Sequence, residues 1–297
     1  MSSKNSIVKV LKTSINSIGT VLAIAGVIFV SLKLKQYWQA DSINHVSVSS
    51  WMVIGMLSIC YAGANIFLVI AWKNILEHYN LRVASRWAFQ AYGISQLAKY
   101  VPGNIFHIAG RQAIAMAAGL PGKLVLKSNL LELIMISCGG TLIGWIVLSL
   151  LFPNLSLIMA LTLLVCSYIG VILIARLYFS LSLSKAIIYQ LLFLLSSAFI
   201  FTTILTLLVH GRVLDIPVIC TTIGVYTIAW LAGLVMPGAP AGIGIRELVV
   251  VYFLSEYIPN AELLLAVLLG RIVTVIGDIL FFLAAYLNKS FKLTQEH

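Results

Sequence analysis

The sequence contains very little charge, and this scarcity argues against a soluble protein. Only 9% of the 297 residues are charged and 61% are hydrophobic, whereas a soluble domain carries about 25% charged residues. No polar stretch is long enough to form a soluble domain. Several apolar runs reach the roughly 20 residues needed to cross the bilayer core. We therefore predict an all-α, polytopic membrane protein in which residues 1–297 form a single transmembrane domain.

Signatures of catalysis and metal binding are also missing. The sequence has no paired carboxylates at hydrolase spacing, no Ser-His-Asp set and no Walker loop. Its cysteines lack metal-ligand spacing and are interpreted as small core residues; they are Cys60, Cys138, Cys166 and Cys220. We expect no catalytic residue, no metal and no cofactor, and a protein that is not an enzyme. The net charge of +10 does not predict nucleic-acid binding, because the basic residues lie at helix ends, where they set topology.

Six apolar runs are predicted to be full spans. The first resembles a signal peptide but is too long for one, and Lys33 and Lys35 follow it, so we interpret it as a retained span. The predicted spans are 14–32, 49–72, 124–151, 154–175, 185–209 and 260–287.

Two further segments, 86–118 and 216–255, are apolar but interrupted. Proline removes a backbone donor and glycine loosens a helix, and such a break survives in a bilayer only inside protein or beside a wet cavity. We predict that both segments are re-entrant helical hairpins. The residues of the breaks are Pro102, Gly103, Pro237, Gly238, Gly242 and Gly244.

The basic residues outside the membrane segments are distributed unequally. With the N-terminus in the cytoplasm, twelve lie inside and three outside, which predicts that both termini are cytoplasmic. The twelve are Lys4, Lys9, Lys12, Lys73, Arg82, Arg86, Lys123, Lys127, Arg176, Lys185, Lys289 and Lys292. The three are Lys33, Lys35 and Arg212.

The two breaks are related by an internal repeat. Each Pro-Gly pair is followed by seven residues and then by Arg111 or Arg246, so the offset is 135 residues. The same offset relates the neighbouring spans, which predicts repeat 1 at about 1–135 and repeat 2 at about 136–297. Because repeat 1 holds three full spans, repeat 2 is inserted upside down. Inverted repeats with interrupted segments are typical of secondary transporters, although chance coincidence of two Pro-Gly pairs is the alternative.

The charged residues within these segments are the candidates for function, since intramembrane charge is costly. Arg111 and Arg246 follow equivalent breaks, and their guanidinium groups suit a phosphate, so one hypothesis is a shared anion site. In the alternative, each arginine pairs with a buried carboxylate and only holds helices together. The predicted substrate-binding residues are Arg111, Arg246, Lys99, Asn104, His107, Glu132, Glu247 and Arg271.

Other side chains carry less specific expectations. Glu132 either pairs with Arg271 or titrates and couples transport to protons, and Asp278 is placed in the same network as Arg271. His107 shares a helix face with Arg111 and either packs or touches substrate. Four aromatic residues are interpreted as anchors at the membrane interface: Trp38, Trp51, Trp87 and Tyr100.

Two passages, residues 96–111 and 236–247, resemble a known family. Their Lys-Tyr-x-Pro-Gly-Asn and Pro-Gly…Gly-x-Arg-Glu patterns are similar to those of the flippase-like family of lysylphosphatidylglycerol synthase transmembrane regions. The resemblance covers essentially the whole chain, and Glu132 also fits the family's pattern. The aminoacyl-transferase domain fused to some members is not in this sequence, so lysyl transfer is not expected.

The resemblance implies a multi-pass protein of the cell inner (plasma) membrane that moves a lipid between leaflets. The cargo implied is a phospholipid or a polyprenyl-linked sugar, and Arg111 and Arg246 predict that its headgroup is anionic. Glycosyltransferases or other envelope-assembly proteins are the implied partners. The alternative function is a membrane partner or lipid-modifying enzyme of a surface-polysaccharide assembly complex.

Overall fold

The computed structural model describes residues 48–101, 106–152, 154–209, 214–235 and 244–288, and within them it is almost entirely helical. Ten α-helices follow one another along these ranges. They are α1 (Val48–His78), α2 (Ser85–Gln96), α3 (Phe106–Ala117), α4 (Gly122–Ile143), α5 (Trp145–Leu151), α6 (Leu157–Ile174), α7 (Leu181–Leu208), α8 (Ile216–Val235), α9 (Ile245–Leu254) and α10 (Asn260–Leu287). A 3₁₀ turn at Leu97–Tyr100 extends α2, and a π turn at Ala175–Phe179 extends α6.

Serine and proline mark several helix starts. Ser156 and Ser180 accept hydrogen bonds from the backbone N–H groups of Met159 and Leu183, which caps α6 and α7. Pro121 and Pro259 directly precede α4 and α10, where a missing N–H costs nothing. These starts agree with the predicted spans to within a few residues.

Six helical runs in the described ranges are long and apolar enough to cross a membrane, so the chain is an all-α, multi-pass protein. They are Ser50–His78, Gly122–Leu151, Leu157–Phe179, Leu181–Leu208, Ile216–Val235 and Asn260–Leu287. The predicted span 14–32 lies outside the described residues. The sixth run is instead α8, whose 20 residues extend about 30 Å. That is longer than the first arm of a re-entrant hairpin requires, and longer than its counterpart α2, which has 12 residues.

Helices α1 and α7 form the centre of the bundle and run antiparallel. The Tyr61 ring packs at a tilt against Phe193, and Phe67 stacks on Tyr189, with ring centroids 6.1 and 6.4 Å apart. His78, the last residue of α1, hydrogen-bonds Ser180 just before α7. Contacts therefore move backward along α7 as they move forward along α1, as expected for equivalent helices of opposite orientation.

The same neighbours recur around each central helix. α1 contacts α2, α4 and α10, whereas α7 contacts α8, α10 and α4. α3 lies between α2 and α4, as α9 lies between α8 and α10. This recurrence is the packing expected of two structural repeats, and a superposition of 1–135 on 136–297 stays a prediction.

Close contact between α1 and α10 depends on Gly277. A Cβ atom there would lie 2.8 Å from the backbone carbonyl oxygen of Ser58 and 2.8 Å from the Tyr61 ring. The glycine lets the two backbones approach, as small residues do in membrane helix pairs. The approach also brings the next residue, Asp278, against α1.

The cysteines are not the core residues that the sequence predicted. Cys60, Cys138 and Cys166 are exposed on the outer faces of their helices, and Cys220 is partly exposed. In a membrane protein an apolar run does not distinguish a lipid-facing position from a buried one, because both surroundings are apolar.

Candidate functional site

Three ion pairs use most of the charge that lies within the broken segments and their neighbouring spans. The sequence singled out four cations and three carboxylates there. In the structure Lys99 pairs with Asp278, Arg111 with Glu132, and Arg271 with Glu247. Each carboxylate therefore has a cationic partner, and one cation, Arg246, remains.

Arg111 binds Glu132 in a buried pair that joins α3 to α4. The Nη1–Oε2 distance is 2.6 Å, and Tyr92 donates its hydroxyl to Oε1 of Glu132 at 2.8 Å. The guanidinium also lies over two aromatic rings, 4.1 Å from the centroid of Tyr92 and 5.1 Å from that of Trp72. The carboxylate and cation–π contacts together fix the position of the Arg111 guanidinium between α3 and α4.

Arg271 binds Glu247 in a second pair that joins α9 to α10. Its Nε and Nη2 atoms donate to Oε1 and Oε2 at 2.7 and 3.1 Å, which is the bidentate arrangement. The predicted pair of Glu132 and Arg271 is therefore wrong. Sequence placed these residues at nearly equivalent positions of the two repeats, but each reaches the half-helix adjacent to it in its own repeat.

The two pairs occupy equivalent places with their charges exchanged. In repeat 1 the half-helix carries the cation, Arg111, and the following span carries Glu132. In repeat 2 the half-helix carries Glu247 and the following span carries the cation, Arg271. Helices α3 and α9 are thus each fastened to the helix that follows them, α3 through a cation and α9 through a carboxylate.

Asp278 accepts hydrogen bonds from four side chains and is fully buried. Lys99 Nζ and Tyr100 Oη lie 2.7 and 2.5 Å from Oδ2. Asn65 and Gln96 donate to Oδ1 at 3.2 and 3.3 Å. The cluster joins α1, the end of α2 and α10. The sequence placed Asp278 with Arg271, but Arg271 pairs with Glu247 instead.

Arg246 lies in the first turn of α9, directly before Glu247, and has no carboxylate partner among the described residues. Its Nε atom is buried without a hydrogen-bond acceptor. Its electrostatic neighbours are another cation, Arg271, and the hydroxyl-bearing rings of Tyr226, Tyr61 and Tyr100. Lys99 also lies within electrostatic range of Arg246. The result is a local excess of positive charge beside the broken segments.

The other predicted site residues divide into two groups. His107 lies in the first turn of α3, where its Nδ1 is buried without a hydrogen-bond partner and its charged neighbours are Arg111 and Lys99. Gly244, directly before α9, adopts a φ of +85°, which side chains rarely accept. Several predicted residues lie outside the described residues: Pro102, Gly103, Asn104, Pro237, Gly238 and Gly242.

Sequence reasoning missed several polar and aromatic members of these clusters. Asn65 and Gln96 were overlooked, although Asn65 stands in a strongly apolar run and so carried a usable signal. The interface-anchor interpretation is wrong for Trp87 and Tyr100, which are both buried. Their positions near predicted helix ends suggested the membrane surface, but α2 runs inside the bundle.

The described residues contain no group of three or more His, Cys, Asp or Glu side chains arranged to hold a metal ion. No protein-family model matches this chain, and a search of curated proteins found no match.

Proposed function

We propose that this protein is a lipid transporter that moves an anionic-headgroup lipid, a phospholipid or a polyprenyl-linked glycan, between the leaflets of the plasma membrane. The proposal rests on Arg246. Among the described residues it is the one intramembrane cation without a carboxylate partner. Moving a charged headgroup through hydrocarbon is unfavourable without a polar partner. A cation held ready inside the bundle provides that partner.

The surroundings of Arg246 suit a phosphate group. Its Nε has no acceptor in the described structure, and a guanidinium binds phosphate oxygens through parallel N–H donors. The first turn of α9 adds backbone N–H groups and the positive end of the helix dipole. The hydroxyls of Tyr61 and Tyr226 are further candidate donors to the headgroup, whereas that of Tyr100 already donates to Asp278.

Arg111 has a different role in this proposal from the one predicted. Glu132 and two aromatic rings already engage it, so we assign headgroup binding chiefly to Arg246 and fastening of α3 to Arg111. The two-arginine site becomes a site of Arg246 with Lys99, which is partly exposed.

The architecture supports transport rather than passive anchoring. Antiparallel central helices with interrupted segments on both sides are typical of transporters whose substrate site lies between the repeats. We also propose that both termini are cytoplasmic, that the protein is not an enzyme, and that its partners are envelope-assembly enzymes such as glycosyltransferases.

The proposal is tested by translocation of a fluorescent phospholipid and a fluorescent polyprenyl phosphate in vesicles that contain the purified protein. Arg246→Gln should slow translocation at least about tenfold, since a hydrogen bond between charged groups contributes about 1.5–3 kcal/mol. Arg176→Gln is the matched control, because Arg176 is exposed and belongs to no described ion pair. Wild-type rates for folded Arg246→Gln would refute the anion site.

A further inference from the structure

The two residues of the Lys99–Asp278 ion pair differ in burial and in the number of their hydrogen bonds. Asp278 is completely buried and receives hydrogen bonds from Tyr100, Asn65 and Gln96 in addition to Lys99. The Lys99 side chain, by contrast, is 22% exposed. Asp278 would therefore keep three hydrogen-bond donors if Lys99 moved away. The buried carboxylate would not be left without hydrogen bonds.

Neither of the other two pairs could open so readily. Arg111 is fixed by Glu132 on one side and by aromatic rings on the other. Arg271 makes a two-point contact with Glu247. Lys99 instead contacts one carboxylate oxygen and lies 5.4 Å from the ring centroid of the adjacent Tyr100. Its ammonium is a compact charge on a flexible stem that can turn toward another acceptor.

Arg246 supplies the reason for Lys99 to turn. Arg246 directly precedes Glu247, which Arg271 binds, and Asp278 lies two turns beyond Arg271 on α10, about 10 Å along the helix axis. An anion placed at Arg246 would therefore attract the ammonium of Lys99 as Asp278 does. A phosphate offers several strong acceptor oxygens, whereas each oxygen of Asp278 already serves two donors.

We propose that an anionic headgroup bound at Arg246 takes Lys99 over from Asp278. This inference rests on the proposed function, and it names Lys99 as the second headgroup ligand and Asp278 as its competitor. Because Lys99 belongs to the 3₁₀ turn Leu97–Tyr100 and Asp278 to α10, the exchange loosens α10 from the turn that precedes the first break. Binding of the headgroup is thereby linked to separation of α10 from the turn Leu97–Tyr100.

The test measures binding of dioctanoyl phosphatidic acid to the purified full-length protein in detergent by calorimetry, with dioctanoylglycerol as the uncharged probe. Lys99→Met should weaken binding of phosphatidic acid about tenfold, and Lys185→Met, at an exposed lysine, should not. Asp278→Asn should tighten binding severalfold, because it frees Lys99. In the Lys99→Met background, Asp278→Asn should have no such effect.

Three results would overturn the exchange. Unchanged binding by Lys99→Met would do so alone, and this variant leaves Asp278 with its three other donors. If Asp278→Asn tightened binding of phosphatidic acid equally with and without Lys99, the effect would come from long-range electrostatics and not from the exchange. Weaker binding by folded Asp278→Asn would make the aspartate a supporting residue rather than a competitor.

Further arms separate this inference from the proposed function. If Arg246→Gln loses binding and Lys99→Met does not, only the exchange fails. If the wild-type protein binds neither phosphatidic acid nor inorganic phosphate, the anion site itself fails, and the exchange with it. Inorganic phosphate that binds as tightly as the lipid, with the same dependence on Lys99, would identify free phosphate as the ligand and overturn the lipid assignment.

Discussion

Arg271 donates two hydrogen bonds to Glu247, with nitrogen–oxygen distances of 2.7 and 3.1 Å, and these bonds fasten α9 to α10. The equivalent helices of the first repeat, α3 and α4, are fastened by Arg111 and Glu132 with the signs exchanged. From this recurrence we infer that holding α3 and α9 to the helices that follow them matters more than which partner carries which charge.

That interpretation predicts the outcome of a charge exchange in repeat 2. Glu247→Arg or Arg271→Glu alone brings like charges together and should lower thermal stability. The double variant restores an opposite-charge pair and should recover much of the loss. Coupling between contacting residues commonly reaches about 0.5–3 kcal/mol, and we expect at least about 1 kcal/mol here. The measurement is unfolding followed by tryptophan fluorescence on heating, and purely additive losses would contradict a direct contact.

Glu132→Gln should destabilise the protein because it leaves Arg111 buried without a carboxylate. Breaking one side of a buried pair typically costs about 3–5 kcal/mol. Glu256→Gln, at an exposed acid, is the control and should have little effect. If Glu132 is instead the proton carrier, its substitution will leave thermal stability unchanged and abolish the pH dependence of transport. Stability and pH-dependent translocation are therefore measured on the same preparations.

Gly277→Ala should lower stability, although alanine is the better helix former. The added Cβ would lie 2.8 Å from the carbonyl oxygen of Ser58, so α1 and α10 must separate. Gly63→Ala provides the matched control, since a Cβ there meets no atom within 4 Å. It should leave stability unchanged or raise it by up to about 1 kcal/mol. Equal behaviour of the two variants in thermal unfolding would show that the close approach is unimportant.

Topology is predicted from the bias of basic residues toward one side. Reporter fusions at the N- and C-termini should both report a cytoplasmic location. A fusion in the loop between α7 and α8, after Val209, should report the opposite side. A C-terminus outside the cell would refute the predicted orientation.

The sequence predicted the long spans well because their signals are local. The predicted span 260–287 coincides with α10, whose start follows Pro259 and whose apolar run is continuous. The offset of 135 residues stays a prediction of two repeats, and it did not anticipate that α8 has 20 residues whereas its counterpart α2 has 12.

Neighbours in space were harder to predict. The sequence shows that Glu132 and Arg271 each lie in an apolar helix. It does not show which other helix packs against that helix. Ion pairing depends on that packing, so the Glu132–Arg271 prediction failed. The alternative that Arg111 and Arg246 each pair with a carboxylate holds only for Arg111 among the described residues. Tyr100 was misassigned for a related reason, because its depth follows from the path of α2 through the bundle.

Two of the three ion pairs lie within a single repeat, whereas Lys99 of the first repeat meets Asp278 of the second. If the halves rock against each other as rigid bodies, the Arg111 and Arg271 pairs travel with their own half and are not strained. The hydrogen bonds to Asp278 connect the two halves, so they must stretch or exchange each time the halves move. Substitutions of Asp278 should therefore alter the rate of the rocking motion more than its end states.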